Sequence, residues 1–429
     1  MRKIIVATVV AALLTHSSYS QFGRLLDKVK NKTNQRADAK VDKEIDKALD
    51  KAEGKSASTE EDKTTQTPKP VAEDTIVSDG SLKSFSRFDF VPGEKIIYFD
   101  NFEQETIAEL PGGWNTNGTG EVVTLEKYSG QWLRLHNPFL YLTRNAAEFT
   151  DNYTAEFDII LQLKNNGWMY PEIKFGLFGT NGESTTANNF LTDYKKYGAI
   201  IVAIQPGEYK STKVRINSYL DNKDYFKSES KPFPALEQSY GKSIHVAIQV
   251  QKERFRMWIN EEKLFDVPKG IPLNYIMNQL LFNVGFTNYK DDQYGVYLSN
   301  IKVATGKPDT RHKLVEEGKF STTGILFTIN SAAIKPESYG VLKEIADVIQ
   351  KNEGIKVKIV GHTDSDGSDA TNLELSKKRA AAVKTALVNE FGIDASRIET
   401  DGKGETQPVG DNKTKEGKGQ NRRVEFIKQ

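Results

Sequence analysis

The chain is predicted to be multidomain. An all-β jelly-roll sandwich occupies the centre, an α/β sandwich the C-terminal end, and a helical or disordered segment precedes both. Three observations predict this. Between Phe85 and Ala304, aromatic and β-branched residues alternate with polar ones in short runs punctuated by Gly, Asn, Asp and Pro, the pattern of many short strands. From Arg311 to Gln429, strand-like and helix-like periods alternate, which suits helices packed on one sheet. From Ser56 to Asp79 the chain is dominated by Ser, Thr, Glu, Lys and Pro, too polar to bury a core.

Composition narrows the function. The 429 residues suffice for two or three domains. A formal net charge of +1 gives no general reason to expect nucleic acid or anionic lipid as a partner. There is no cysteine, so disulfides, thiolate metal sites, thiol nucleophiles and the lipidated cysteine of a bacterial lipoprotein are excluded. The five histidines form no HExxH or HxH pair, and no histidine-built metal site is expected.

Residues 1–20 read as a secretory signal peptide: Arg2 and Lys3, the apolar Ile4 to Leu14, then Ser18-Tyr19-Ser20. Residues 21–55 read as a charged amphipathic helix, with Val41, Ile45, Ala48, Leu49 and Ala52 at helical spacing. Residues 56–80 read as a flexible linker. Ile4 to Leu14 is too short to span a bilayer well, and no other apolar run is long enough for a membrane-spanning helix.

The sandwich is assigned residues 81–305. Its strand candidates include Lys95–Phe99, Tyr153–Leu161, Gly198–Ile204, Ser243–Val250 and Phe255–Ile259. All four tryptophans fall here: Trp114, Trp132, Trp168 and Trp258. Trp114, Trp168 and Tyr170 are candidates for stacking a sugar, with core filling as the simpler role. Glu156 and Asp158 share one strand face and are the only carboxylate pair suggesting glycosidase chemistry. No third acid follows at Ile160, so a polar solvent face is the expectation and catalysis is not. A membrane β-barrel is the alternative, since alternation is also its signature. Long charged loops, and runs such as Gly198–Ile204 that are apolar on both faces, favour the soluble sandwich.

After a linker at 306–318, residues 319–429 form the α/β unit. Expected elements are a strand at Ile325–Thr328, a helix from Pro336 to Lys351 and a strand at Ile355–Val360. A helix from Thr371 to Glu390 follows, then strands near Ile398 and from Arg423 to Lys428. The second helix carries a buried stripe of Ser376, Ala380, Val383 and Leu387. Asp364 closes the strand and Arg379 follows 379 − 364 = 15 positions later inside that helix. One carboxylate and one guanidinium at the mouth of a strand–loop–helix unit complement a zwitterion's ammonium and carboxylate. Asn372 lies seven positions before Arg379 and shares its side of the helix. The loop Ser365–Asp369 could add N–H donors. That loop resembles a calcium loop, but a calcium loop needs Gly sixth and Glu twelfth. Counted from Asp364, those positions hold Asp369 and Leu375.

These residues resemble the OmpA-like peptidoglycan-binding family. Gly361-His362-Thr363-Asp364, Gly367, and Asn372-x-x-Leu375-Ser376-x-x-Arg379-Ala380-x-x-Val383-x-x-x-Leu387 fit its main pattern. Gly402-x-Gly404-Glu405-x-x-Pro408 and Asn421-Arg422-Arg423-Val424-Glu425 fit its later elements. The resemblance implies binding of diaminopimelate in peptidoglycan stems. Asp364 would take the ammonium and Arg379 the carboxylate, with Asn372, Thr363 and Leu375 shaping the site and Arg422 lining or supporting it. Phe99-Asp-Asn-Phe-Glu103, Trp114, the hairpin Arg256–Phe265 turning at Asn260-Glu261, and Tyr297–Val303 are similar to concanavalin-A-like (laminin-G-like) jelly rolls. That resemblance implies a glycan or protein ligand. The sequence leaves room for calcium in this domain but supplies no motif for it, and no other cofactor is expected. Together these features describe a non-catalytic protein of the periplasm of a Gram-negative bacterium, associated with the outer membrane and cell wall. Peptidoglycan is the expected partner. A glycan or outer-membrane protein would meet the central domain or the N-terminal helix.

Overall fold

The computed structural model describes residues 88–145, 147–273 and 275–429. The signal peptide, charged helix and linker read from residues 1–80 lie outside them. In chain order the strands are β1 (Lys95–Asp100), β2 (Asn115–Thr116), β3 (Gly120–Leu125), β4 (Tyr128–Leu135), β5 (Leu140–Leu142), β6 (Asn152–Leu163) and β7 (Ile173–Gly179). Next come β8 (Gly198–Gln205), β9 (Lys213–Leu220), β10 (Lys223–Lys227), β11 (Lys231–Pro232), β12 (Ser243–Gln251), β13 (Arg254–Ile259), β14 (Glu262–Val267), β15 (Gln279–Val284) and β16 (Tyr294–Thr305). The C-terminal unit holds β17 (Lys319–Thr322), α1 (Tyr339–Lys351), β18 (Val357–Gly361), α2 (Asp369–Phe391), β19 (Ile398–Gly402), α3 (Lys415–Asn421) and β20 (Val424–Lys428).

Two antiparallel sheets make the central sandwich. One runs β14-β13-β12-β6-β16-β4-β3, with β1 also on β16; the other runs β10-β9-β8-β7-β15-β5-β2, with β11 also on β9. Their inward residues, among them Phe157, Phe175, Val202, Val246, Met257, Phe282 and Val296, are buried in one core. The arrangement is two packed sheets, not the closed barrel weighed as an alternative. Gly198–Ile204 is apolar on both faces because loop residues Phe190 and Leu191 cover its outer side. The hairpin turn falls where the sequence put it, with Asn260 at a φ of 50°, a conformation Asn tolerates. Trp114 and Tyr170 fill core positions, whereas Trp168 is 56% exposed.

The C-terminal sheet runs β17-β20-β18-β19, and α1 and α2 pack on it through Ile345, Ile349, Ala380, Val383 and Leu387. The stripe read from the second helix is buried as expected. The strand expected at Ile325–Thr328 is instead a single bridge, Phe327 to Ile334, and the sheet's outer strand is β17. Four residues were too few to show in the pattern. Residues 306–318, read as a linker, are packed: Leu314 is fully buried and Lys313 Nζ lies 2.7 Å from Glu94.

Glu156 and Asp158 do not face solvent. Both are buried, at 3% and 4% exposure, on the side of β6 turned away from the sandwich core. Register sets His245 opposite Asp158, and Lys302 opposite Glu156. His245 Nδ1 lies 2.8 Å from Asp158 and Nε2 3.6 Å from Glu156. Lys302 Nζ is 2.9 Å from Glu156, and Asn300 donates to Asp158 at 2.8 Å. Lys335, from the C-terminal unit, closes the cluster 3.6 Å from Asp158. Beside it, Phe88 and Phe90 pack edge-on against Trp258, and their carbonyls lie against Gly340 of α1. The alternation was read correctly but the covering partner was not visible in it. The pair is ion-paired and covered, so it does not serve as a glycosidase's acid and nucleophile.

A second contact joins α3 to β1. Lys415 is buried, its Nζ 2.7 Å from Asp100 and 2.6 Å from Glu105. Gln420 accepts from the Ile96 N–H at 3.0 Å, and Gly419 lies against Ile96 and Phe99.

Burial opposes charging His245, but Asp158 and Glu156 overcome it and push its pKa up to about 9. Burial likewise opposes ionisation of Asp158, yet His245, Lys335 and Asn300 bring it down to about 2. The histidine's contribution to stability is therefore complete below its unfolded value of about 6.5 and is lost as pH rises through about 9. The aspartate's contribution is present above about 3.8 and is lost as pH falls through about 2. Thermal melts of the full chain from pH 5 to 10 are expected to show a loss on the order of a few kcal/mol above pH 6.5. That limb should be absent in His245→Gln; identical profiles for both proteins would contradict a charged His245.

Candidate functional site

The C-terminal site forms where α2 presses onto the end of β18. Close approach is permitted by two glycines: a Cβ on Gly361 would sit 2.2 Å from the Ser376 carbonyl, and one on Gly402 would sit 2.5 Å from Ser376 Oγ. Ser376 is fully buried and donates to the Leu373 carbonyl while accepting from the Gly404 N–H. The helix starts with Ser368 as its N-cap, accepting from the Thr371 N–H. These contacts fix the strand end that carries Asp364 relative to the helix that carries Arg379.

Asp364 is buried, at 7% exposure. One carboxylate oxygen accepts from the Asp366 N–H at 3.2 Å, and the other forms a short ion pair with Arg422. Thr363 is anchored through its N–H to the Gly404 carbonyl, and its buried hydroxyl has no partner among the described residues. Asn372 is buried behind the site as a brace. Its amide donates to the carbonyls of Asp364 and Asp366 at 3.2 and 3.1 Å and to Glu405 at 2.5 Å. Leu375 is half-buried. The Arg379 guanidinium lies over Phe327, 4.9 Å from the ring centre, and its Nε donates to the Ser331 carbonyl at 3.1 Å. Arg379 as a whole is half-buried.

Among the described residues, no carboxylate is in contact with Arg379. Burial and the neighbouring Arg422 bring its pKa down to about 10, against the opposing pull of Asp364. It remains charged near neutrality. Two guanidiniums therefore converge on one carboxylate that Arg422 already pairs. Two further acids stand nearby, Asp366, which is paired with Lys418 at 2.6 Å, and Glu405, on Asn372. Among the described residues, the site thus holds a cation without an acid partner next to a paired acid. Its chemistry is that of holding an anionic group, with an acid alongside for a cationic one.

The motif Asn421 to Glu425 divides by side. Asn421 is fully buried and accepts from the N–H groups of Val409 and Gly410, both at 2.8 Å. Arg422 turns to Asp364. Arg423 turns inward to Glu425 at 2.9 Å. Burial would raise the Glu425 carboxyl, but His362, Lys319 and Arg423 hold it well below the usual range. Sequence reasoning found Asp364, Arg379, Asn372, Thr363 and Arg422, and these come together. It missed Phe327 and Ser331, which sit in a segment without periodicity. Glu405 was visible inside its motif, but without a role.

Residues 326–422 match the OmpA family. Over 101 residues, 24% of this chain, the sequence is 43% identical to outer membrane porin F of Pseudomonas aeruginosa and covers 29% of that protein. The chain thus spans less than a third of the length of the porin F relatives it matches. The structure is also similar to the cell wall anchor of the T6SS of Pseudomonas aeruginosa, with 32% identity over 26% of this chain and 81% of that one and a TM-score of 0.24. A further similar structure is the peptidoglycan-associated lipoprotein of Burkholderia pseudomallei, with 28% identity over 25% and 89% of the two chains and a TM-score of 0.23.

If the contact between helix and strand sets the site, Gly361→Ala must push them apart. It is expected to cost about 1–3 kcal/mol, read as a lower melting temperature in the full chain. An unshifted melt would show that the contact tolerates a methyl group.

Proposed function

With an OmpA family domain at its C-terminus as the premise, we propose that this protein is a non-catalytic anchor that grips peptidoglycan from the periplasm. The ligand is diaminopimelate in stem peptides. Asp364 takes its ammonium, and Arg379 takes its carboxylate, aided by Arg422. The observation carrying this reading is the half-buried charge of Arg379 beside Asp364, with no carboxylate in contact with it among the described residues. An anion lowers the cost of that partly buried charge, and a zwitterion satisfies both groups at once. Thr363 supplies a spare hydroxyl at the strand end, Leu375 an apolar wall, and Asn372 stiffness through the two carbonyls it ties. Binding is reversible and needs neither metal nor cofactor.

The relatives' names support the compartment: one is an outer membrane porin, another a cell wall anchor and a third a peptidoglycan-associated lipoprotein. The Gram-negative periplasm, along the outer membrane, is the proposed location. Among the described residues no helix is long and apolar enough to cross a membrane. The central sandwich is proposed to bind a glycan or protein partner. Of its three aromatic candidates, Trp168 keeps its side chain exposed, whereas Trp114 and Tyr170 are committed to the core.

Pull-down of the full chain with purified sacculi tests the site. Asp364→Ala and Arg379→Ala should each weaken retention by about thirty-fold or more, with circular dichroism unchanged. Retention of both variants at the wild-type level would sink the assigned roles.

A further inference from the structure

Both cationic arms of the groove rest on the sandwich. Arg379 is held by Phe327 and Ser331, in the segment that ends at Lys335, and Lys335 reaches Asp158 of β6. Within that segment Ile329 lies beside Gly130 of β4. Arg422 follows directly on α3, which is seated on β1 through Lys415, Gln420 and Gly419. The closest of these supports comes from a single sandwich side chain. The ring of Phe99 lies 4.8 Å from the Arg422 guanidinium carbon, while its N–H donates to Glu416 at 3.4 Å.

Three influences then act on Arg422. Asp364 draws it into the groove, Arg379 repels it, and the Phe99 ring offers its negative face to the guanidinium. At 29% exposure the Arg422 side chain has solvent to swing into if its support is removed. We propose that Phe99 is a positioning residue of the peptidoglycan site. It keeps Arg422 facing inward, so that a ligand carboxylate meets two guanidiniums instead of one. The wall-binding site is thus built by both units, and its affinity depends on the sandwich staying docked. This rests on the assignment of Asp364 and Arg379 to the ligand.

Titration calorimetry of the full chain with a soluble stem tripeptide ending in meso-diaminopimelate tests it. Phe99→Leu keeps an apolar side chain against Gly419 and removes the ring. It is expected to weaken binding by about two- to five-fold with little change in melting temperature. Phe99→Trp, which restores a ring, should recover the affinity. In an Arg422→Gln background, Phe99→Leu should cost nothing further, because its target is gone. Unchanged or tighter binding by Phe99→Leu overturns the proposal, as does an equal loss in the Arg422→Gln background, which would mark a merely structural effect. Asp364→Ala separates the two levels. If it binds the tripeptide as the wild type does, the site itself is wrongly assigned; if it alone loses binding, only the role of Phe99 fails.

Discussion

Buried charge at the junction of the two units is the constraint on which the rest of the structure depends. Asp100 and Lys415 meet there almost wholly out of water, and so do Glu156, Asp158, His245 and Lys302, with Lys335 at the edge. Removing such charges from water costs several kcal/mol per ion, and their attraction offsets this only when the geometry is right. Apolar contact alone, as at Phe88, Phe90 and Trp258, would tolerate sliding. The ion pairs do not, because any other alignment leaves a buried charge unpaired. They therefore specify one docking geometry more than they add stability.

That geometry reaches the candidate site through short routes. The helix bearing Arg379 is set against the strand leading to Asp364 by the Gly361, Gly402 and Ser376 contact. Its guanidinium is steadied by a segment leaning on the sandwich. The helix preceding Arg422 sits on β1 by way of the Lys415 pair. Both charges are consequently braced by contacts within the chain, and a preorganised pair of charges loses less entropy on binding than a mobile one. The partly uncompensated positive charge at Arg379 is the cost of that arrangement.

Much of this was legible in the sequence, for identifiable reasons. The stripe Ser376, Ala380, Val383 and Leu387 predicted the buried face of α2 because helix period and burial are tied together by geometry. The hairpin at Asn260 was legible because its turn needs a residue that accepts a positive φ. The strand expected at Ile325–Thr328 failed because short apolar runs carry no period, and only pairing decides them. Glu156 and Asp158 looked like a solvent face because alternation reports which side of a strand differs, not what covers that side.

By itself the sequence determined two domain types, the chemistry of an acid and a guanidinium at fixed spacing, and the absence of thiol chemistry. These are local properties, carried by residue type and by separation along the chain. Only the tertiary structure decided that the two units share a charged, buried interface. It alone showed that Arg422 pairs with Asp364 while Arg379 has no acid in contact among the described residues, and that Phe99, more than three hundred positions away in the chain, lies on Arg422. Those facts depend on contacts between distant segments, which burial and electrostatics select together and no local pattern encodes.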